Sequence, residues 1–383
     1  MQETTLETSR IKSTLYFYAS IALKIFVFIG IIAIFWLGKP ILVPISAALL
    51  LSFILLPVVN FLEKKSFPKF LAIMVTILTL VGIIGTVIFL YSNQIIQIIN
   101  ELGSFQKQII DTIEKVVAMI NSNLDLEQDL KTPQVLEKAK EMIENNELLP
   151  QVIGAVLKSL GNLLLFLIFT ILFLNYRKGL LKAVKNFGSS KAKQENLKDA
   201  VVEASKIGRN YVLGNLLLII VLTTINTTGL LIIGIDYPLF FGFLPALFCI
   251  IPYVGSLMGA SFVFLFAFFN YDAIFYPLSV IGLFWLSQLL ESNVLNPKII
   301  GENLKLNVLF VIITLMVGQA IWGVPGLILS VPLMAMFKVY CGHFEHLKPI
   351  SKLIGTEVHL APEEKHTDLF GSMKKFFSKS SKT

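Results

Sequence analysis

The sequence predicts an all-α, polytopic membrane protein, and three observations lead there. Of its 383 residues, 55% are hydrophobic and only 15% are charged, with a mean hydropathy of +0.76. Soluble domains carry about 25% charged residues. Several stretches of roughly 20 residues lack charge altogether, the length a helix needs to cross a bilayer. These runs are continuous rather than alternating, which argues against a transmembrane β-barrel.

Eight apolar segments follow in order: 19–37, 41–62, 70–91, 152–175, 211–234, 239–269, 273–290 and 306–340. The first is too long for a signal-peptide core and lacks a small-x-small cleavage site, so it reads as a span that stays in the membrane. The second has Pro40 and Pro44 near its start and Pro57 near its end.

Basic residues place the connections. Lys64, Lys65 and Lys69 follow the second span, and residues 176–209 hold nine Lys or Arg against three acids. Both stretches are expected as cytoplasmic loops. Residues 92–150 hold ten acids and five lysines and are expected outside. The alternation puts the N-terminus and the tail, with Lys374, Lys375, Lys379 and Lys382, in the cytoplasm. The net charge of +7 thus reports topology and implies no nucleic-acid partner. The tail segment MKKFFSKSSK suits an anionic lipid surface. Four regions result: 1–91 with the first three spans, an extracytoplasmic helical segment 92–150, a transport core 151–345, and a basic tail 346–383.

The outer segment has its own pattern. Ile95, Leu102, Ile109 and Val116 recur every seven residues, with Ile98, Phe105 and Met119 on a neighbouring row broken by Thr112. This predicts an amphipathic helix that continues span three. Thr132 and Pro133 then read as the cap and first position of a second helix over 133–146. The apolar stripe packs against that helix or against a second subunit; the sequence allows both.

Two runs have the wrong length. Run 239–269 has 31 residues and is cut by Pro252 and Gly255 into pieces too short to cross a core of roughly 30 Å. Run 306–340 has 35 residues and is interrupted by Trp322–Gly326, WGVPG, with halves of about 17 and 14 residues. Two re-entrant hairpins, inserted from opposite faces with their tips at the midplane, satisfy both lengths and match the layout of secondary transporters. Two kinked single spans are the alternative. In the first tip Pro252 removes an N–H and Gly255 permits a turn, so the next helix begins near Ser256 with its N–H groups aimed at the midplane. Gly255 and Gly259 form a G-x-x-x-G that allows close helix contact.

Polar residues at membrane depth are the candidate site. Ser287, Gln288 and Glu291 share one helix face, followed by Asn293 and Asn296 before Pro297. Glu291 is suited to bind a proton or cation, or to hold a neighbouring hairpin. The fifth span carries Thr223, Thr224, Asn226, Thr227 and Thr228, which bond their own backbone or line a polar path. Tyr253 stands in the first tip, Gln319 precedes the second, and Gly323, Pro325 and Gly326 form it. Asp236 and Asp272 read as caps of span ends. Phosphate-binding, dinucleotide, zinc-protease and nucleophile-elbow motifs are absent from the sequence, which points away from an enzyme and from a cofactor. Two cysteines, Cys249 and Cys341, exclude a disulfide framework. His343, Glu345 and His346 read as a solvated cluster rather than a metal site.

The stretch IPYVGSLMGA and the later ESNVLNPKIIGENLKLNVLFVIITLMVGQAIWGVPGLILSVPLMA resemble the AI-2E family of bacterial permeases. The resemblance covers residues 15–345 and rests on Pro252, Val254, Gly255, Glu291, Pro297, Gly301, Gly318, Gly323, Gly326, Val331 and Pro332. It implies a bacterial inner-membrane exporter of a small polar molecule of the autoinducer-2 type. It also implies, for other members, Na⁺/H⁺ antiport, and a homo-oligomer, a pentamer moving as an elevator. The reading that follows is a secondary transporter exporting a small polar solute by alternating access. Cation/proton antiport through Glu291 comes second, and an oligomeric scaffold or passive channel third.

Overall fold

The computed structural model describes residues 2–123, 148–252, 255–299 and 306–356. The helix expected at 133–146, Tyr253, Gly301, the lysines of the tail and the side chains of the heptad positions from Leu102 onward lie outside the described residues or side chains. Twelve α-helices are described: α1 (Gln2–Leu37), α2 (Lys39–Lys64), α3 (Lys69–Asn123), α4 (Leu148–Asn186), α5 (Lys191–Ile233), α6 (Pro238–Phe248), α7 (Gly255–Asn270), α8 (Phe275–Leu290), α9 (Asn296–Ile299), α10 (Val308–Trp322), α11 (Val324–Gly342) and α12 (Lys348–Ile354). Among the described residues, seven helical stretches are long and apolar enough to cross a membrane. The chain is an all-α polytopic membrane protein.

Two elements run further than their apolar stretches. Span three and the amphipathic segment after it are one 55-residue helix, about 80 Å long at 1.5 Å per residue. The basic stretch 176–209, expected as a loop, is instead the end of α4 and the start of α5, joined by a short turn at 187–190. Charge asymmetry reports which side a segment occupies and not its backbone state. Lys, Glu, Gln and Ala, frequent here, are strong helix formers. Ser190 caps α5 by accepting the Lys193 N–H at 3.3 Å.

Helices α2, α3 and α4 share one core of Leu55, Val59, Ala72, Ile73, Ile77 and Leu174. Arg177 fastens its basic end. The guanidinium donates to Glu63 Oε2 at 2.6 Å, to Asn60 Oδ1 at 3.2 Å and to the Leu174 carbonyl at 3.1 Å. Truncation by Arg177→Ala leaves a partly buried carboxylate without its partner. It should lower stability by about 1–3 kcal/mol, read as an earlier thermal transition in detergent, while Lys178→Ala, one residue on, should leave the transition in place.

Helix α5 is the axis for the rest. Along its final half it packs against α6, α7 and α8 through Leu230, Phe241, Val263, Phe266 and Val280. Nearer its middle it packs against α10 and α11 through Tyr211, Leu315 and Val331. Gly208 faces Met336 there.

Both over-long runs double back. In the first, α6 and α7 lie side by side: Phe241 meets Phe266 at 4.4 Å between ring centroids, and Phe248 stacks on Phe262 at 6.1 Å. A Cβ on Gly255 would run into the Phe248 carbonyl, and one on Gly259 into Pro245, so the G-x-x-x-G is used inside this hairpin. Its two ends are tied. The Asp236 N–H donates to Tyr271 Oη at 2.7 Å, and that hydroxyl donates to Asp236 Oδ2 at 2.8 Å. Burial pushes the Tyr271 hydroxyl up to about 12, which keeps the donor protonated.

In the second, α10 and α11 pack with Gly318 and Gly326 against each other's backbone carbonyls. The turn falls at Gly323 (φ 67°), inside the expected tip, and Pro325 sits in the first turn of α11. Proline is well accommodated there because the first helical N–H groups have no partner. The halves therefore have 15 and 19 residues, so α11 is itself long enough to cross. The start of α10 is held by the end of α12: the Asn307 N–H donates to the Ile354 carbonyl at 2.9 Å beside a bridge between Leu306 and Gly355. Trp322 secures the turn to the first two helices by donating to the Phe35 carbonyl at 3.0 Å.

Register along α5 relates the two tips. The first hairpin has its base near Leu230 and its tip end, Ala246 and Cys249, near Leu222 and Ile219. The second runs from Met336 at Gly208 to Val331 at Tyr211 and onward to its turn. The hairpins thus advance along one helix from opposite ends.

Candidate functional site

A cavity of about 570 Å³ lies between α5, α6, α7 and α8. Its floor is built by a buried polar contact. Ser287 on α8 donates to Asn226 Oδ1 on α5 at 2.7 Å, and the Asn226 amide points at the Gly242 carbonyl of α6 at 3.5 Å. Asn226 is 2% exposed and Ser287 5%. Three helices are pinned here by groups that water does not reach. Ser287→Ala should strand the Asn226 oxygen and cost about 1–3 kcal/mol, measured as a lower melting temperature, whereas Thr224→Ala, the loss of an exposed hydroxyl bonded only to its own helix, should be nearly neutral.

Glu291 stands at the end of α8, where the helix widens into a π-turn over Glu291–Leu295 before Pro297. The reason is local. Pro297 has no N–H and its ring crowds the carbonyl four residues back. The register shifts instead to the wider bond from the Asn296 N–H to the Glu291 carbonyl. Ser292 and Asn293 donate to the Gln288 and Leu289 carbonyls at 2.8 and 2.9 Å and satisfy the turn that the shift opens. Such π-turns are frequent at functional sites. This one aims the Glu291 carboxylate into the cavity, 3.6 Å from the Cys249 sulfur at the tip of the first hairpin.

The structure brings Asn226, Ser256, Gln288 and Glu291 together as lining residues. Asn293 lies two residues beyond Glu291, exposed and bonded to its own helix. Pro252 and Gly255 form the tip and its packing but do not line the void, and Tyr253 lies outside the described residues. Gln319, Gly323, Pro325 and Gly326 belong to the second hairpin and do not line it either. Gln319 is exposed and its carbonyl caps α10. Thr224 and Thr228 bond their own helix at 2.9 and 2.8 Å. The Thr223 and Thr227 hydroxyls are buried without such a bond.

Sequence reasoning missed Cys249, Ser261 and the apolar wall of Leu257, Phe264, Phe284 and Trp285. The place of Cys249 three residues before Pro252 is the one signal in the sequence that marks it as a tip residue. His343 ties α11 to α5: its Nε2 lies 3.2 Å from Glu203, and its backbone carbonyl accepts from Asn196 at 2.7 Å. Among the described residues no group of three His, Cys, Asp or Glu is placed to hold a metal.

The family profile described as AI-2E family transporter matches residues 25–346, which takes in both hairpins and every residue of the cavity. The chain belongs to the AI-2E transporter family. Relatives in Bacillus subtilis are similar over most of its length. YrrI is 25% identical over 323 residues, covering 82% of this chain and 90% of its own. YueF is 29% identical over 335 residues, covering 84% and 89%. A protein of Borreliella burgdorferi is 23% identical over 350 residues, covering 88% and 90%. All three carry provisional names that assign them to transport and state no solute. For an AI-2E transporter the cavity has a coherent chemistry. Among the described residues it holds one carboxylate, one primary amide beside it on α8, hydroxyls from α7, and no basic side chain.

Proposed function

We propose that this AI-2E family member is a secondary transporter of the bacterial inner membrane that exports a small polar organic solute of the autoinducer-2 type. One observation carries the reading: a carboxylate-bearing cavity sits at the tip of a broken helix pair, and a second broken pair approaches along the same helix from the other end. Non-helical backbone within a bilayer is tolerated only where protein or a water-filled cavity covers it. Two such hairpins inserted from opposite faces give two gates to one central site. The α5–α8 unit moves against α2, α3 and α4, which share one apolar core and of which α2 and α4 are locked by Arg177, to expose the site alternately, as an elevator within a homo-oligomer with both termini cytoplasmic.

A second reading is favoured by Glu291. A lone acid at this depth is suited to carry a proton, and cation/proton antiport uses the same cavity. Reconstitution separates the two. Proteoliposomes are given labelled autoinducer-2 on one side, and internal pH is followed as Na⁺ is added outside. Solute movement without a Na⁺-driven pH change supports export, and the converse supports antiport. If neither moves above protein-free vesicles, transport through this cavity is wrong.

A further inference from the structure

The cavity has two unlike walls. The polar one is Asn226, Ser287, Gln288 and Glu291 on α5 and α8. The other is made of Leu257, Phe264, Ile281 and Trp285 on α7 and α8. A hydroxyl-rich solute uses the first wall and leaves the second wetted or empty, which is costly at this depth. Exposure shows where the void opens. Asn226 and Ser287 at the floor are nearly inaccessible, while Leu257 is 71% exposed and Trp285 64%. Those two residues lie on the lateral surface of α7 and α8, whose composition is that of helices facing hydrocarbon. The mouth therefore opens sideways between α7 and α8 toward lipid. An ordinary lipid-facing groove would carry no carboxylate, since an acid facing hydrocarbon is expensive. Here Glu291 shares the void with aromatic rings, and among the described residues it is the only charged side chain in the lining.

We infer that the cavity binds amphipathic organic monocations: an aromatic body against Trp285 and Phe264, and a positive head against Glu291 and Gln288, reached laterally from the bilayer. Aromatic faces add cation–π attraction to the carboxylate's charge. The volume falls within the roughly 300–1,000 Å³ usual for drug-sized ligands. Organic anions of the same size are excluded by the sign of the site. The inference rests on reading this cavity as the transport site and adds a second class of ligand to it.

The test uses the full-length protein in nanodiscs of neutral phosphatidylcholine, with ethidium as the aromatic cation and 1-naphthalenesulfonate as an aromatic anion. Ethidium should bind saturably above empty nanodiscs, and naphthalenesulfonate should not displace it. Glu291→Gln should weaken ethidium binding about tenfold or more, the loss of one charge-assisted contact. Ala260→Trp, which fills the void, should abolish it. No saturable ethidium binding to the wild-type protein, or equal displacement by the sulfonate, overturns the inference without relying on any variant. Ethidium binding that is unchanged in both variants places the ligand elsewhere and also overturns it. Proteoliposomes then separate the two readings. Export of a polar solute by a protein that does not bind ethidium sinks this inference alone. Saturable, Glu291-dependent ethidium binding without transport of any solute upholds the ligand class and sinks the transport reading.

Discussion

Replacing Glu291 with glutamine should reduce solute transport in proteoliposomes by about tenfold to a hundredfold, the loss of one interaction of about 1.5–3 kcal/mol with an ionised group. The substitution keeps size and hydrogen-bonding capacity and removes only the charge and the site for a proton. The protein should still fold, because Ser287, Asn226 and Gly242, and not Glu291, pin α5, α6 and α8. The π-turn should persist too, since Pro297, Ser292 and Asn293 determine it. A variant with unchanged thermal stability and lost transport assigns Glu291 to the solute or to its coupling ion. Unchanged transport would remove it from the site. Glu291→Asp should recover a part of the activity, because the charge returns one methylene short of its position near Cys249.

The largest structural effect is expected at the second hairpin. At Gly326 a Cβ would collide with the backbone carbonyl of Gly318, and at Gly318 with that of Gly326. Neither obstacle can rotate away as a side chain could. Gly326→Ala should therefore separate α10 from α11 and cost about 3 kcal/mol. It should also loosen Trp322 from Phe35. Gly282 in the middle of α8 is the matched control, since a Cβ there meets nothing within 4 Å. Gly282→Ala should be neutral or stabilise by about 0.5–1 kcal/mol through helix propensity. Thermal unfolding of both variants in the same detergent decides it. Similar transitions would mean that the close approach of the hairpin arms is not a feature of the folded protein.

Much of this architecture is legible in the chain because bilayer physics leaves few solutions. Apolar length gives the spans, and the excess length of 239–269 and 306–340 gives the doubling back. The glycine at each tip is readable for the same reason. The lengths of the second hairpin's arms are not, because Pro325 sits in the first turn of the second arm and extends it to 19 residues instead of interrupting it. The helical state of 176–209 is hidden, since a run of lysines speaks of topology first. The site is legible one element at a time. Gln288 and Glu291 share a face at helical spacing, but that Asn226 lies under Ser287, 61 residues away, follows only from how α5 and α8 cross. The π-turn leaves no periodic trace, and only Ser292, Asn293 and Pro297 together hint at it. The aromatic wall is invisible in sequence because every apolar helix here carries similar rings.

Helix α3 has a mechanical consequence. A single helix that begins at Lys69 and is still unbroken at Asn123 has no joint where it leaves its apolar stretch. Its inner part is clamped to α2 and α4, and it carries Ile98 against the first-hairpin core and Gln94 against the Phe240 N–H at 2.8 Å. A rod held this way acts as a lever with a short arm and a long one. About 25 residues, or nearly 40 Å, extend beyond Ile98. A small rocking of the first hairpin against α3 is then magnified at the far tip, so displacement at the cavity has a built-in amplifier directed away from it.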